Sequence, residues 1–131
     1  MYGDAIAISK ISRLAGKREL DKEYRSKAFK IKNLVQDKLW DSESEFFKVL
    51  PKEGSELSDA RELYGYTPWY FNMPDSGYEE AWKHLIDKEG FYSPYGPTFL
   101  EQRHPEFKIS YEGHECQWNG PSWAFATTLF E

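Results

Sequence analysis

The sequence predicts a mainly α chain in which helices pair as hairpins and short β-strands sit in the connecting loops. Three observations predict it. Apolar residues recur every three or four positions over two stretches before Trp40, and Gly16 separates those stretches. Beyond them, glycines, prolines and short polar runs leave room only for brief elements. At 131 residues the chain suits one domain with a real core.

Ala5, Ile6, Ile8, Ile11, Leu14 and Ala15 paint one helical stripe, with Asp4 near the N-terminus and Gly16 as the breaker. Leu20, Tyr24, Ala28, Ile31, Leu34, Val35 and Leu39 paint a second, so a longer helix is expected from about Arg18 to Trp40. So short a link makes the pair antiparallel. Asp41-Ser42-Glu43-Ser44 is turn chemistry, and Glu45 to Leu50 reads as an edge strand ended by Pro51. After the polar loop Lys52 to Ser58, Ser58 or Asp59 can cap a short helix from Ala60, limited by Gly65, Thr67 and Pro68; the rings from Tyr64 to Phe71 read as mostly irregular. Asp75 or Ser76 can cap a further helix with Tyr78, Ala81, Trp82 and Leu85 on one face. EGFYSPYGPTFLEQRHP, with two glycines and three prolines, is an ordered loop. Phe107 to Tyr111 suits a short strand, and Pro121 the first turn of a last helix with Trp123, Phe125, Ala126 and Leu129 as its apolar face.

A net charge of -5 argues against a nucleic-acid partner, since a phosphate backbone rewards clustered Lys and Arg. The basic residues between Lys10 and Lys38 alternate with acids, as on a solvated helix face. The one cysteine, Cys116, excludes an internal disulfide. No apolar run reaches membrane-spanning length, and the start MYGDAIAISK has no signal-peptide pattern. A cytoplasmic chain is expected if that start is native; the location of a longer parent is left open.

Aromatic residues make up 18% of the chain, which points to packing of large rings or to ligand stacking. They are densest, beside polar groups, in YEGHECQWNGPSW, residues 111–123. Indole faces stack on the apolar face of a sugar ring, while Glu, Gln and Asn hydrogen-bond its hydroxyls. Against that stands the plainer reading, that Trp and Tyr of a small domain are core. His114-x-Cys116 falls short of a four-ligand metal site, because His84 and His104 stand alone, so neither metal nor cofactor is expected. Glu112 and Glu115 are weak candidates for the two acids that cut a glycosidic bond, since either can as readily cap a helix or hold a hydroxyl.

Several of these stretches carry a resemblance. MYGDAIAISKISRLAG, KAFKIKNLVQDKLWD and EFFKV resemble one helical hairpin of the six-hairpin glycosidases, the (α/α)6-toroid hydrolases that include trehalases, family 63 glucosidases and mannosylglycerate hydrolases. ELYGYTPWYF, GFYSPYGP and ECQWNGPSW resemble three segments that line the barrel mouth in that family, in the same order; the last matches its Trp, polar, Gly, Pro, any, Trp pattern. The resemblance covers essentially the whole chain. It implies a partial catalytic domain over 1–131, part of a toroid, from an inverting hydrolase of α-linked glucosides or related sugars. Gln117, Trp118 and Trp123 then fall on sugar-contacting positions, and Tyr95 and Gly96 on a pocket-lining loop. Asn119 stands where many members carry Arg, which leaves the sugar open. The family's Asp acid lies in a Gly-Trp-Asp motif and its Glu base after the last helix; this sequence contains neither, so the chain alone is expected to be inactive. Other readings are a non-catalytic carbohydrate-binding module and a helical-hairpin module for protein partners. A partial ring also implies self-association through exposed helix faces.

Overall fold

A computed structural model of the chain describes residues 1–110 and 117–128. Helix α1 spans Tyr2–Leu14 and helix α2 Arg18–Leu39. The amide of Gly16 bonds to the Arg13 carbonyl at 3.1 Å and that of Lys17 to the Ser12 carbonyl at 2.8 Å, with Gly16 at φ 71°. This left-handed closure satisfies the last carbonyls of α1 and turns the chain back within three residues. Both ends of the predicted hairpin are thus where the periodicity and Gly16 place them.

The face that α1 presents to its partner differs from the expected stripe. Its buried residues are Ala5, Ser9 and Ser12, while Ile11 is 64% and Leu14 89% exposed. Small side chains let the two helices approach closely. The Ser9 hydroxyl donates to the Asp21 carboxylate at 2.5 Å, and Arg25 reaches the same carboxylate at 3.0 and 3.2 Å. On α2, Asp21 and Ala28 are the buried positions, and Leu34 is 59% exposed.

The chain leaves α2 through a two-stranded antiparallel sheet, β1 (Trp40–Asp41) and β2 (Phe46–Phe47), with Trp40 opposite Phe47 and Asp41 opposite Phe46. The Asp41 carboxylate organises the turn between them, accepting from the Glu43 amide at 3.0 Å and the Ser44 hydroxyl at 2.6 Å and pairing with Lys48 at 2.9 Å. The predicted strand over Glu45 to Leu50 shrinks to two residues, neither of them on a wet face. Phe46 enters the core, while Phe47 stacks on Tyr78 and meets Trp40 and Trp69 edge-on.

Past this point helical turns replace longer elements. A 3-10 turn over Leu63–Tyr66 leads into α3 (Thr67–Tyr70), and another over Glu79–Trp82 into α4 (Lys83–Ile86). The stretch from Tyr64 to Phe71, expected to be irregular, is therefore mostly helical. Pro68 starts α3 instead of ending a helix, because its missing N–H is unused in a first turn. The Ser58 hydroxyl accepts from the Ala60 amide at 3.2 Å, but no helix follows there. Asp75 caps nothing; it pairs with Lys32 at 2.5 Å. Residues 107–110 form no strand, and α5 covers Ala124–Thr127, three residues past Pro121. The Phe125 of its predicted apolar face is 66% exposed, and Leu129 lies outside the described residues.

Phe46, Leu63, Tyr66, Ala81, Phe91, Phe99 and Ala126 form the core, with Trp40, Trp69, Leu85 and Trp123 packed on it. Phe46 and Tyr66 meet edge-on at 4.9 Å, and the Tyr66 hydroxyl donates to the Ala81 carbonyl at 2.8 Å. Rings from widely separated stretches therefore hold together a region that has little regular secondary structure to do so.

Two groups make this packing sensitive to acid. Burial, and then the nearby Arg61 charge, hold His84 below its ordinary 6.5, so the neutral ring donates from Nε2 to the Ser44 carbonyl at 3.0 Å. Burial raises the Asp41 carboxyl, but the bonds from Ser44, Lys48 and Glu43 outweigh it and leave the group well below its ordinary 3.8. Both folded values lie below the unfolded ones, so each contribution is present above the unfolded pKa and is lost as pH falls. Tm should fall first below about pH 6.5, and again below about pH 4. In His84→Gln, which keeps a donor, the upper step should disappear from a Tm-against-pH series.

Candidate functional site

The geometry of the aromatic turn is set by backbone pairing. The Lys108 amide donates to the Asn119 carbonyl at 3.0 Å, and the Phe99 amide to the Gly120 carbonyl at 3.1 Å. The Asn119 side-chain amide donates to the Glu106 carbonyl at 2.7 Å. Gly120 is buried against this pairing, and a Cβ there would overlap the Lys108 carbonyl oxygen. Gly120→Ala should therefore pull the turn off residues 106–108. The change is expected to abolish the near-ultraviolet circular dichroism of the paired indoles while far-ultraviolet helix signal persists.

Those constraints bring Trp118 and Trp123 face to face, with ring centres 4.3 Å apart and planes 2° from parallel. Trp123 is the backing plate, half-buried, with Nε1 donating to the Gln117 carbonyl at 2.8 Å. Trp118 is the outer plate and is 39% exposed. Its ring also meets Phe99 edge-on at 4.9 Å and lies 6.0 Å from Tyr64 at a 34° tilt. In sequence, Trp118 and Trp123 bracket the Gly120-Pro121 bend. The structure stacks one on the other, so each indole has one face covered by its partner.

The loop carrying Tyr95 and Gly96 docks on this turn. The Ser122 hydroxyl donates to the Gly96 carbonyl at 2.7 Å, and Gly96 takes φ 123°, a region that side chains disfavour. Tyr95 projects into solvent at 96% exposure. The Gln117 amide donates to the Ser110 carbonyl at 3.1 Å, so with Asn119 it anchors the turn. Gln117, Trp118, Asn119, Trp123, Tyr95 and Gly96 are thus one connected unit. Glu112, Glu115, His114 and Cys116 lie outside the described residues. Among the described residues no group of three or more His, Cys, Asp or Glu side chains could hold a metal ion.

The sequence singles out neither Tyr64, within the ELYGYTPWYF segment, nor Phe99 as a neighbour of Trp118. Tyr64, 37% exposed, borders Trp118, and the buried Phe99 ring underlies both, meeting Tyr64 edge-on at 4.8 Å. Tyr64 also lines a half-open cavity of about 450 Å³ between the hairpin and the turn leading into α3. Its walls include Tyr2, Val35, Leu39, Leu50 and Met73, and among the described residues its one lining carboxylate is Glu62. Burial pushes the Glu62 carboxyl up, against the opposing pull of the His104 charge.

A helical hairpin followed by loop segments that meet in an aromatic turn places the chain among the glycoside hydrolases of the α/α type. It belongs to the mannosylglycerate hydrolase MGH1-like glycoside hydrolase domain family, whose model matches residues 1–131. A solved chain described as a sialidase is similar to it, at 40% sequence identity and a TM-score of 0.90 over 98% of this chain. This chain spans 12% of the length of that one. No curated protein matches it.

Proposed function

We propose that the chain forms part of the sugar-contacting wall of an inverting glycoside hydrolase acting on α-linked glucosides or related sugars, with neither catalytic acid among its residues. The 39% exposure of Trp118, backed by Trp123 at 4.3 Å and bordered by Tyr64, carries this reading. A rigid outer indole gives an apolar sugar face a flat partner at little cost in side-chain freedom. Tyr95, on the loop that Ser122 ties to the turn, offers a solvent-exposed phenol for hydroxyls. Family membership supports carbohydrate as the ligand class. The 12% span of the similar solved chain supports a catalytic pair supplied by other parts of a longer enzyme.

Titration of the 131-residue chain with trehalose and methyl α-glucoside, followed by tryptophan fluorescence, tests the wall. Saturable quenching or enhancement is expected, with Trp118→Ala weakening it by about tenfold. A flat titration with a folded chain would sink the assignment. Turnover of trehalose or an aryl glucoside by this chain would sink the claim that both acids lie elsewhere.

A further inference from the structure

We infer that the cavity beside Tyr64 is a binding site for an apolar aglycone, so that the ligands favoured here are glycosides carrying an alkyl or aryl group. The inference rests on the sugar-wall reading and deepens it. Tyr64 belongs to both places: its ring lies 6.0 Å from Trp118, and the residue lines the cavity of about 450 Å³. A ligand lying on Trp118 therefore has the cavity within reach of its other end.

Size and chemistry agree with an apolar group. The volume falls in the range of small-molecule sites, which are mostly apolar with a few polar groups that fix orientation. Tyr2, Val35, Leu39, Leu50 and Met73 supply the apolar walls. The lining ammonium of Lys48 is already paired with Asp41 at 2.9 Å, so it does not draw an anion into the cavity. Glu62 remains as a half-buried carboxylate for which, among the described residues, no side chain donates a hydrogen bond. A desolvated acceptor of this kind takes a hydroxyl, which an aglycone's sugar supplies where the two parts join.

Calorimetric titration of the 131-residue chain with methyl α-glucoside and hexyl α-glucoside, kept below micelle formation, tests the inference. Hexyl α-glucoside should bind at least about tenfold more tightly. Leu50→Glu, at a lining position that is 37% exposed and tolerant of a charge, should close most of that gap, while Trp118→Ala should weaken both ligands alike. Equal affinity for the two glucosides overturns the inference and leaves the sugar wall standing. That holds whether the hexyl group finds no room or a second copy of the chain covers the cavity. A preference for the hexyl ligand that persists in Leu50→Glu overturns it too. Binding of neither ligand removes both readings.

Discussion

Phe46→Ala is expected to lower the unfolding free energy by about 3–5 kcal/mol. The side chain is fully buried, and it touches three partners from distant stretches: Tyr66 at 4.9 Å, His84 at 5.7 Å and Phe91 at 5.6 Å. Its ring also fills the space over Gly65, where a Cβ would strike it. Truncation loses the transfer of a large ring and leaves a void that these neighbours, themselves pinned, cannot fill. Urea unfolding should show a lower midpoint at unchanged slope. The control is Leu14→Ala, at 89% exposure, which should stay within about 0.5 kcal/mol of the parent. A similar small effect for Phe46→Ala would mean that the aromatic cluster does not hold the loops together.

Glu101→Ala should be comparably damaging, at about 3–5 kcal/mol, for an electrostatic reason. Arg61 donates to its carboxylate at 2.5 Å, and the two side chains are only 16% and 5% exposed. Arg61 also donates to the Ser44 carbonyl at 3.3 Å, and Arg103 lies 3.4 Å from Glu101. The pair ties the segment before the first 3-10 turn to the loop after Phe99, alongside the bridge between Glu62 and Leu100. Removing the carboxylate strands a guanidinium that has little water. Replacing both members, Arg61→Met with Glu101→Leu, should recover much of the loss, since well-packed apolar residues carry no desolvation cost. A double-mutant cycle by urea unfolding measures the coupling. Additive single losses would show that the pair is not a unit.

The hairpin was legible in the sequence because its signals are local: a 3.6-residue period, and a glycine that alone adopts the closing conformation cheaply. Its packing face was not. Ser9 and Ser12 lie outside the apolar stripe, yet smallness is what a close helix contact selects, and Asp21 gives Ser9 a partner from the other helix. From Leu63 to Ile86 the helices last one turn each, too short for periodicity to register. The Trp118 and Trp123 motif was visible as a pair. The backbone bonds that stack it come from Phe99 and Lys108, which no spacing rule links to Gly120 and Asn119. Tyr64 was counted among the rings of an irregular stretch, and nothing near it in sequence points to Trp118.

The fully buried positions of α1 and α2 are alanine, serine and one ion-bonded aspartate, whereas the fully buried phenylalanines gather elsewhere. No large apolar side chain is fully buried on either helix, so the molecule has a soft end and a hard one. Amide protons of the hairpin should exchange with solvent through a partial opening that leaves the ring cluster intact, making those helices the part of the chain that neighbouring structure can most easily reposition.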